Sequence, residues 1–575
     1  MYQFSGKLKS IAIGLIVIGL IGTVWSFMSA PKTIDEAKKI IAEQLSSHHG
    51  HGGGHGEATK EHHAESEHKT VEHKEDVHHK PEVSNESHND EHKSDTHTDD
   101  HKNKDDHSKK DSTSHTKVVE QKENVLKDTT HASHESKNTH SEKVDTTAHH
   151  SSNGDHKQVS GDNHKDDSHA KAVADHHTNE NHHADAGHHD DHHAEHVFHQ
   201  MQNRPWSALY VSLLFFLGVT LLVFAFYAAQ RVAQAGWSIV LFRVMEAITA
   251  NLHYVSIAML IFIIATAMHA NHLFPWMAEG TFDPLSDNYD PIVDGKSWWM
   301  NLPGWTIRSI IYLAIWNIFR FIIRRKSIQQ DNGDLKLHKN IYNICVGFIF
   351  LFMITESMMS WDWIMGIDPH WFSTLFGWYV LATFLVCALT LICLVTLYLR
   401  SKGQLPFVND SHIHDLVKFM FGFSVFWTYL WFAQFMLIWY ADMPEETTYY
   451  AQRFNEYKLP FIGMVALNFI FPVLLLINSD FKTIPWIIGI AGAFILVGHY
   501  VDLFVMVMPG TVGGQWGFGI GEISAFLLFA GVFIYATFTA FSKAATLPKG
   551  NPYLHESEIH HYYVIEHRGE ENDHH

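Results

Sequence analysis

The sequence predicts an all-α integral membrane protein of about ten transmembrane helices, and three observations predict it. Ten apolar runs each come close to the ~20 residues that an α-helix needs to cross the hydrocarbon core of a bilayer. The connections between the runs alternate in charge. Arg231, Arg324-Arg325-Lys326, Arg400 with Lys402, Lys482, and Lys543 with Lys549 form one set. Glu279 to Asp294, Asp362 to His370, Asp442 to Glu446 and the glycine-rich turn after Pro509 form the other. Finally, residues 46–200 hold 34 of the 48 histidines and almost no aromatic or large apolar side chain, so polar and apolar parts of the chain are segregated.

Residues 1–45 carry Lys7 and Lys9 ahead of an apolar run from Ser10 to Ala30. A secretory signal peptide has the same outline, but its apolar core is usually ~7–15 residues. The longer run predicts an uncleaved transmembrane helix, with Ala30-Pro31 leaving the cleaved alternative open. The 46–200 segment cannot bury enough apolar surface to offset the entropy of ordering, which predicts a disordered His-rich loop. Such a loop can act as a weak sink for zinc, copper or nickel, as a charge reservoir turning cationic below about pH 6.5, or as a solvated linker. No fixed ligand spacing repeats in it. Residues 201–545 then form the main helical domain, with apolar runs at 206–228, 250–268, 304–323, 341–358, 371–399, 416–440, 459–478, 483–507 and 519–541. Gly236 to Ala250 is apolar but interrupted by Arg243 and Glu246, which predicts a helix lying on the membrane surface. Residues 546–575 are a polar tail. Basic connections mark the cytoplasmic side, so both termini are expected there, with the His-rich loop and the acidic connections outside.

A net charge of −20 argues against nucleic acid as a partner. Cys345, Cys387 and Cys393 all sit in apolar runs without a CxxC pair, so no cysteine framework for a disulfide, metal or iron–sulfur centre is available.

Three sets of polar groups within or beside the spans can carry chemistry. In the stretch from Thr355 to Tyr379, Glu356, Asp362, Asp368 and His370 are interleaved with Trp361, Trp363, Trp371 and Trp378. Ionisable residues at such depth usually face protein, a cavity or an ion path, and tryptophan favours the water–lipid boundary. His269 and His272 end another run close by in the same acidic set. Each is readable as a polar helix terminus. Across a shared mouth, however, a His and an Asp can hydrogen-bond the two oxygens of a quinone and relay its protons. The second set is His499 and Asp502, spaced i,i+3 inside the run 483–507. With Glu522 and Glu356 they form a candidate proton path; pairing with Arg308 or Arg320 is the structural alternative. The third set is His412, His414, Asp415 and Lys418, which reads as a helix start, and His253 lies near the basic end of another helix as a further proton-path candidate. No pair of histidines repeats at matching depth to suggest a haem, and no metal site is expected.

Longer phrases carry a resemblance. They are Ala235-Gly-Trp237, His269-Ala-Asn-His-Leu-Phe-Pro-Trp276, Ser360-Trp-Asp-Trp-Ile-Met-Gly-Ile-Asp-Pro-His-Trp-Phe-Ser-Thr374, His414-Asp-Leu416, the aromatic run Phe426 to Tyr440, and Pro444-Glu-Glu446. With them, residues from about 206 to 557 resemble the second polysulfide-reductase-type (NrfD-like) integral membrane subunit of bacterial alternative complex III, a quinol:electron-acceptor oxidoreductase. The His-rich loop departs from that pattern as an insertion. The resemblance implies two four-helix bundles with peripheral helices in a bacterial inner membrane, the loop being periplasmic. It implies a twin NrfD-like membrane subunit, an iron–sulfur/molybdopterin-like peripheral subunit, haem c subunits and a terminal oxidase as partners. Iron–sulfur and haem c centres would then reside on those partners, with a quinone (menaquinone or ubiquinone) as the only small molecule here. His272 with Asp362 or Asp368 would stand on the quinone side. A passive membrane anchor and a secondary transporter, the latter hinted at by Pro472 and the Gly489/Gly492 pair, are the competing readings.

Overall fold

The computed structural model of the chain describes residues 2–40 and 182–562. Most of the His-rich stretch, with its expected disorder, and the tail from residue 563 lie outside the described residues. Among the described residues there are helices and no strand, and ten helices are long and apolar enough to cross a membrane.

In chain order, α1 (Gly6–Ser29) and α2 (His182–Val232) are followed by a 3-10 turn (Gly236–Leu241), the short α3 (Phe242–Ile248) and α4 (Asn251–Ala267). Next come α5 (Leu302–Gln330), α6 (Leu335–Trp363), α7 (Phe376–Ser401) and α8 (Asp410–Ala441). The chain continues through α9 (Pro444–Asn455), α10 (Lys458–Val465), a π-turn (Ala466–Ile470) and α11 (Phe471–Leu476). It closes with α12 (Pro485–Val512), α13 (Ile520–Ser542) and α14 (Leu554–Glu558). Side-chain caps fix several starts: Asn301 accepts from the Gly304 N–H at 2.8 Å and Asp334 from the Lys336 N–H at 2.9 Å. Each satisfies a backbone donor that the first turn of a helix leaves without a partner.

α2 is the central post. It packs against α4, α6, α7, α12 and α13, and its side chains from Tyr210 to Phe224 are almost completely buried. A helix apolar on every side belongs in such a position. α1 lies instead on the periphery against α13, where glycines let the backbones meet: a Cβ on Gly19 would strike the Leu528 backbone, and one on Gly531 would sit 2.8 Å from the Ala12 carbonyl oxygen. Close approach through small residues is the usual way for helices to associate in lipid. The outer face of α1, with Ile18, Ile21 and Met28, is exposed.

Two departures from the sequence reading matter for function. The segment expected to lie on the membrane surface is enclosed by the fold: every residue from Ile239 to Ile248 is buried. It tolerates burial because Arg243 and Glu246 pair with each other at 2.7 Å, and Arg324 also pairs with Glu246. The run 459–478 is not one α-helix but is broken by the π-turn. Pro472 cannot donate to the carbonyl of Asn468 four residues back, and its ring crowds that oxygen. A single wide turn is one way for a helix to absorb this.

Candidate functional site

At the acidic end of the spans, a cavity of about 290 Å³ is walled by six tryptophans: Trp276, Trp298, Trp299, Trp305, Trp361 and Trp371. Of the five residues expected on a quinone side, Asp362 alone stands in this wall. Its carboxylate is fully engaged. Arg308 donates to both oxygens at 2.7 and 2.9 Å, the Tyr312 hydroxyl adds a bond at 2.7 Å, and the guanidinium lies 4.2 Å from the centre of the Trp299 ring. Asp368 is half-buried one residue before Pro369. Burial pushes its carboxyl above the ordinary aspartate range, against the opposing pull of Arg453, His370 and Lys296. Lys296, in the same wall, is pushed down by burial and donates to the Pro369 carbonyl at 2.7 Å.

The histidines stand apart from that cavity. His370 contacts Asp290 at 2.5 Å, and Asp290 also accepts two backbone bonds from the turn Pro291–Asp294. His269 is exposed in left-handed backbone with φ 57°. The backbone of His272 is clamped to the Asn203 amide by two bonds of 3.1 Å, and its ring lies 5.9 Å from that of His199. Partial burial, with His199 and His269 nearby, holds the His272 imidazole below the usual histidine range.

The second polar centre is Asp502 on α12, fully buried. Tyr379 Oη donates to one carboxylate oxygen, while Thr383 Oγ1 at 2.9 Å and Trp427 Nε1 at 3.0 Å reach the other. Tyr379 and Thr383 are four residues apart, hence on one face of α7. Among the described residues no arginine or lysine pairs with this carboxylate. The group closest to a counterion is His499, whose Nδ1 lies 3.5 Å from Oδ2 while its ring stands edge-on to Trp427 at 5.1 Å. Neither ring nitrogen of His499 has a hydrogen-bond partner, and neither amide atom of Asn468 has one. Asn468 belongs to the π-turn, and its Oδ1 rests where a side chain on Gly498 would begin. The glycine at 498 is required by this close approach.

A small void beside Asp502 is lined by Tyr379, Gln434, Tyr449, Tyr450 and Arg453 together with apolar side chains such as Trp431, Phe461 and Met506. At about 10 Å³ it matches the space that one water needs. Arg453 is buried, donates to the Tyr449 carbonyl at 2.8 Å and keeps Nε without a partner. Trp371, from the wall of the tryptophan-lined cavity, stacks on Tyr449 with ring centres 3.9 Å apart. Polar groups therefore follow one another from Asp368 and Arg453 to Asp502 and His499. A carboxylate and an imidazole in a dry site are least costly when they share one proton, because an uncompensated buried charge is penalised heavily.

The remaining candidates are dispersed. Glu356 is buried with Oε1 lacking a partner. Glu522 starts α13, accepting from the Gly519 N–H at 2.9 Å and from Arg204 at 2.8 Å. His253 bonds Asn317 at 2.6 Å and also Arg320. Thus Arg308 and Arg320, weighed as partners for the His499–Asp502 pair, serve Asp362 and His253 instead. Sequence reasoning passed over Tyr379, Thr383, Trp427, Asn468 and Arg453. The i,i+4 spacing of the first two and the position of Pro472 were the available signals. Among the described residues no cluster of His, Cys, Asp and Glu is arranged to hold a metal. No family model and no curated protein matches the chain.

Proposed function

We propose that the chain is the membrane subunit of a respiratory quinol:electron-acceptor oxidoreductase of the alternative complex III kind, where it supports quinol oxidation and conducts protons. In this reading its helices form two four-helix bundles in a bacterial inner membrane, beside a twin membrane subunit and redox partners that carry the haem c and iron–sulfur centres. The observation that carries the proposal is the Asp502 centre: a buried carboxylate inside a spanning helix, bonded by neutral donors with an imidazole 3.5 Å away, rather than by an arginine. A group kept only for stability would gain more from a guanidinium. One held by Tyr379, Thr383 and Trp427 can take up and lose a proton without breaking an ion pair. The indole-walled cavity offers flat, polarizable surfaces suited to a quinone ring, and Asp368, one residue before Pro369 of its wall, is an acid whose carboxyl burial raises. The order of groups from Asp368 through Arg453 and Tyr449 to Asp502 then supplies the route.

The test is to place Asp502→Asn and His499→Gln separately in the assembled complex in sealed vesicles. Each is expected to lower the protons moved per quinol oxidised while the complex still assembles and passes electrons. Unchanged coupling in both variants overturns the proton-conducting role. A passive anchor is the second reading, and one observation favours it: Asp362, Glu522 and Glu246 are each neutralised by an arginine within the chain.

A further inference from the structure

Among the described residues, the cluster around Glu246 at the basic end of the spans holds more guanidiniums than carboxylates. Glu246 is shared by Arg231 at 3.8 Å, Arg243 at 2.7 Å and Arg324, and Asp331 pairs with Arg243 at 2.6 Å. Arg320 makes no ion pair with either carboxylate. Its bonds run to His253 and, at 3.3 Å, to Thr249 Oγ1, and the charges acting on it most are the repelling Arg324 and the attracting Glu246. Four guanidiniums therefore face two carboxylates, and the exposed Arg325 adds to the excess.

Beside this cluster a groove of about 330 Å³ runs between α4 and α5. At one end His253, Ser256 and Asn317 form its floor, joined by the His253–Asn317 bond at 2.6 Å and a bond from Asn317 Nδ2 to Ser256 Oγ at 2.8 Å. Toward the acidic end the lining becomes wholly apolar, with Leu260, Leu313 and Ile310. Ile257, Ile261 and Ile311 on the flanking surface are exposed, so the groove opens sideways to hydrocarbon. From Asn317 to Ile310 the groove extends about 10 Å at the rise of an α-helix. Polar residues on a lipid-facing surface are costly unless something polar meets them.

We propose that this groove binds an anionic phospholipid, its phosphate drawn to Arg320 and the surplus guanidiniums and its acyl chain lying along Leu260, Leu313 and Ile310. The polarity of the groove and the sign of its charged end both match that ligand. The binding does not depend on the redox role proposed above.

The test uses the full chain in phosphatidylcholine nanodiscs containing a trace of spin-labelled phosphatidylglycerol or, separately, spin-labelled phosphatidylcholine. The motionally restricted component should favour phosphatidylglycerol about fivefold, the increment expected from one basic residue near the membrane surface. Arg320→Gln should bring the two lipids to parity. Ala314→Trp fills the groove from an exposed position without touching the charge cluster, and should remove the restricted phosphatidylglycerol while leaving thermal unfolding unchanged. Equal restriction of the two lipids in the wild type overturns the proposal. So does a preference that survives Ala314→Trp.

Discussion

Asp362 and Asp502 are both carboxylates buried in spanning helices, and the fold treats them in opposite ways. Asp362 receives a bidentate arginine, a tyrosine and a tryptophan stacked behind the guanidinium. Asp502 receives only hydroxyl and indole donors, with an imidazole 3.5 Å away whose own nitrogens lack hydrogen-bond partners. The first arrangement ties Asp362 to Arg308 and so fastens α5 to α6. The second has no guanidinium or ammonium bonded to it among the described residues. In a medium where a bare ion costs several kcal/mol, this difference separates an acid that fastens two helices from the one on which the proposed proton route turns. Glu246 lies at the structural extreme, with three arginines around it.

The sharpest way to break the comparison is to remove the arginine. Arg308→Leu strands the Asp362 charge, and the expected loss is about 3–5 kcal/mol, read as a lowered unfolding midpoint in detergent. Adding Asp362→Asn should recover most of it. If Arg308→Leu alone is tolerated, Asp362 is not the fixed charge described here and the contrast fails.

Tyr379→Phe tests the other side. It removes one donor to Asp502 without leaving a hydroxyl stranded. Loss of a bond to a charged group costs about 1.5–3 kcal/mol, and loss of a bond to a neutral one about 0.5–1.5 kcal/mol. The measured loss, compared between wild type and Asp502→Asn backgrounds, therefore reports the protonation state. A loss that does not change between the two backgrounds would show Asp502 to be neutral throughout, and the proton route would have to bypass it.

How much of this was readable from the sequence follows from the range of each interaction. Spans were readable because hydropathy is a local sum. The agreement between the run 519–541 and α13 at Ile520–Ser542 shows how little the tertiary fold alters it. The His499–Asp502 pair was readable because i,i+3 spacing fixes two side chains on one helix. What those residues meet was not. Tyr379 lies 123 residues from Asp502, and Arg204 lies 318 from Glu522. No periodicity reports such a pairing. The enclosure of Gly236 to Ile248 escaped for the same reason, since Arg243 and Glu246 look exposed until Arg324 of α5 and Asp331 at its C-terminal end arrive.

Two glycines on α12 refine the comparison at the next scale. A Cβ on Gly498 would collide with the Asn468 amide, whereas one on Gly489 would meet nothing within 4 Å. Gly498→Ala should cost about 1–3 kcal/mol through overpacking and displace Asn468 from the Asp502 centre, lowering proton coupling with it. Gly489→Ala should gain up to about 1 kcal/mol from helix propensity. Equal behaviour of the two variants would remove Asn468 and the π-turn from the account.

The smallest expected effect lies at Asp368 and is a dependence on pH. Burial raises the Asp368 carboxyl in the folded state relative to its unfolded value near 3.8. A raised folded value means that the native state binds the proton more tightly, so stability from the neutral form is complete below about pH 3.8 and is lost as pH climbs through the folded value. Asp368→Asn mimics the protonated acid at every pH. Its unfolding midpoint should match the wild type in acid and exceed it increasingly toward neutrality, while Asp362→Asn, cut from its arginine, should fall below the wild type at neutral pH. The opposite trend at position 368 would mean that Arg453, His370 and Lys296 outweigh burial there. Asp368 would then be held by its neighbouring cations much as Asp362 is held by Arg308.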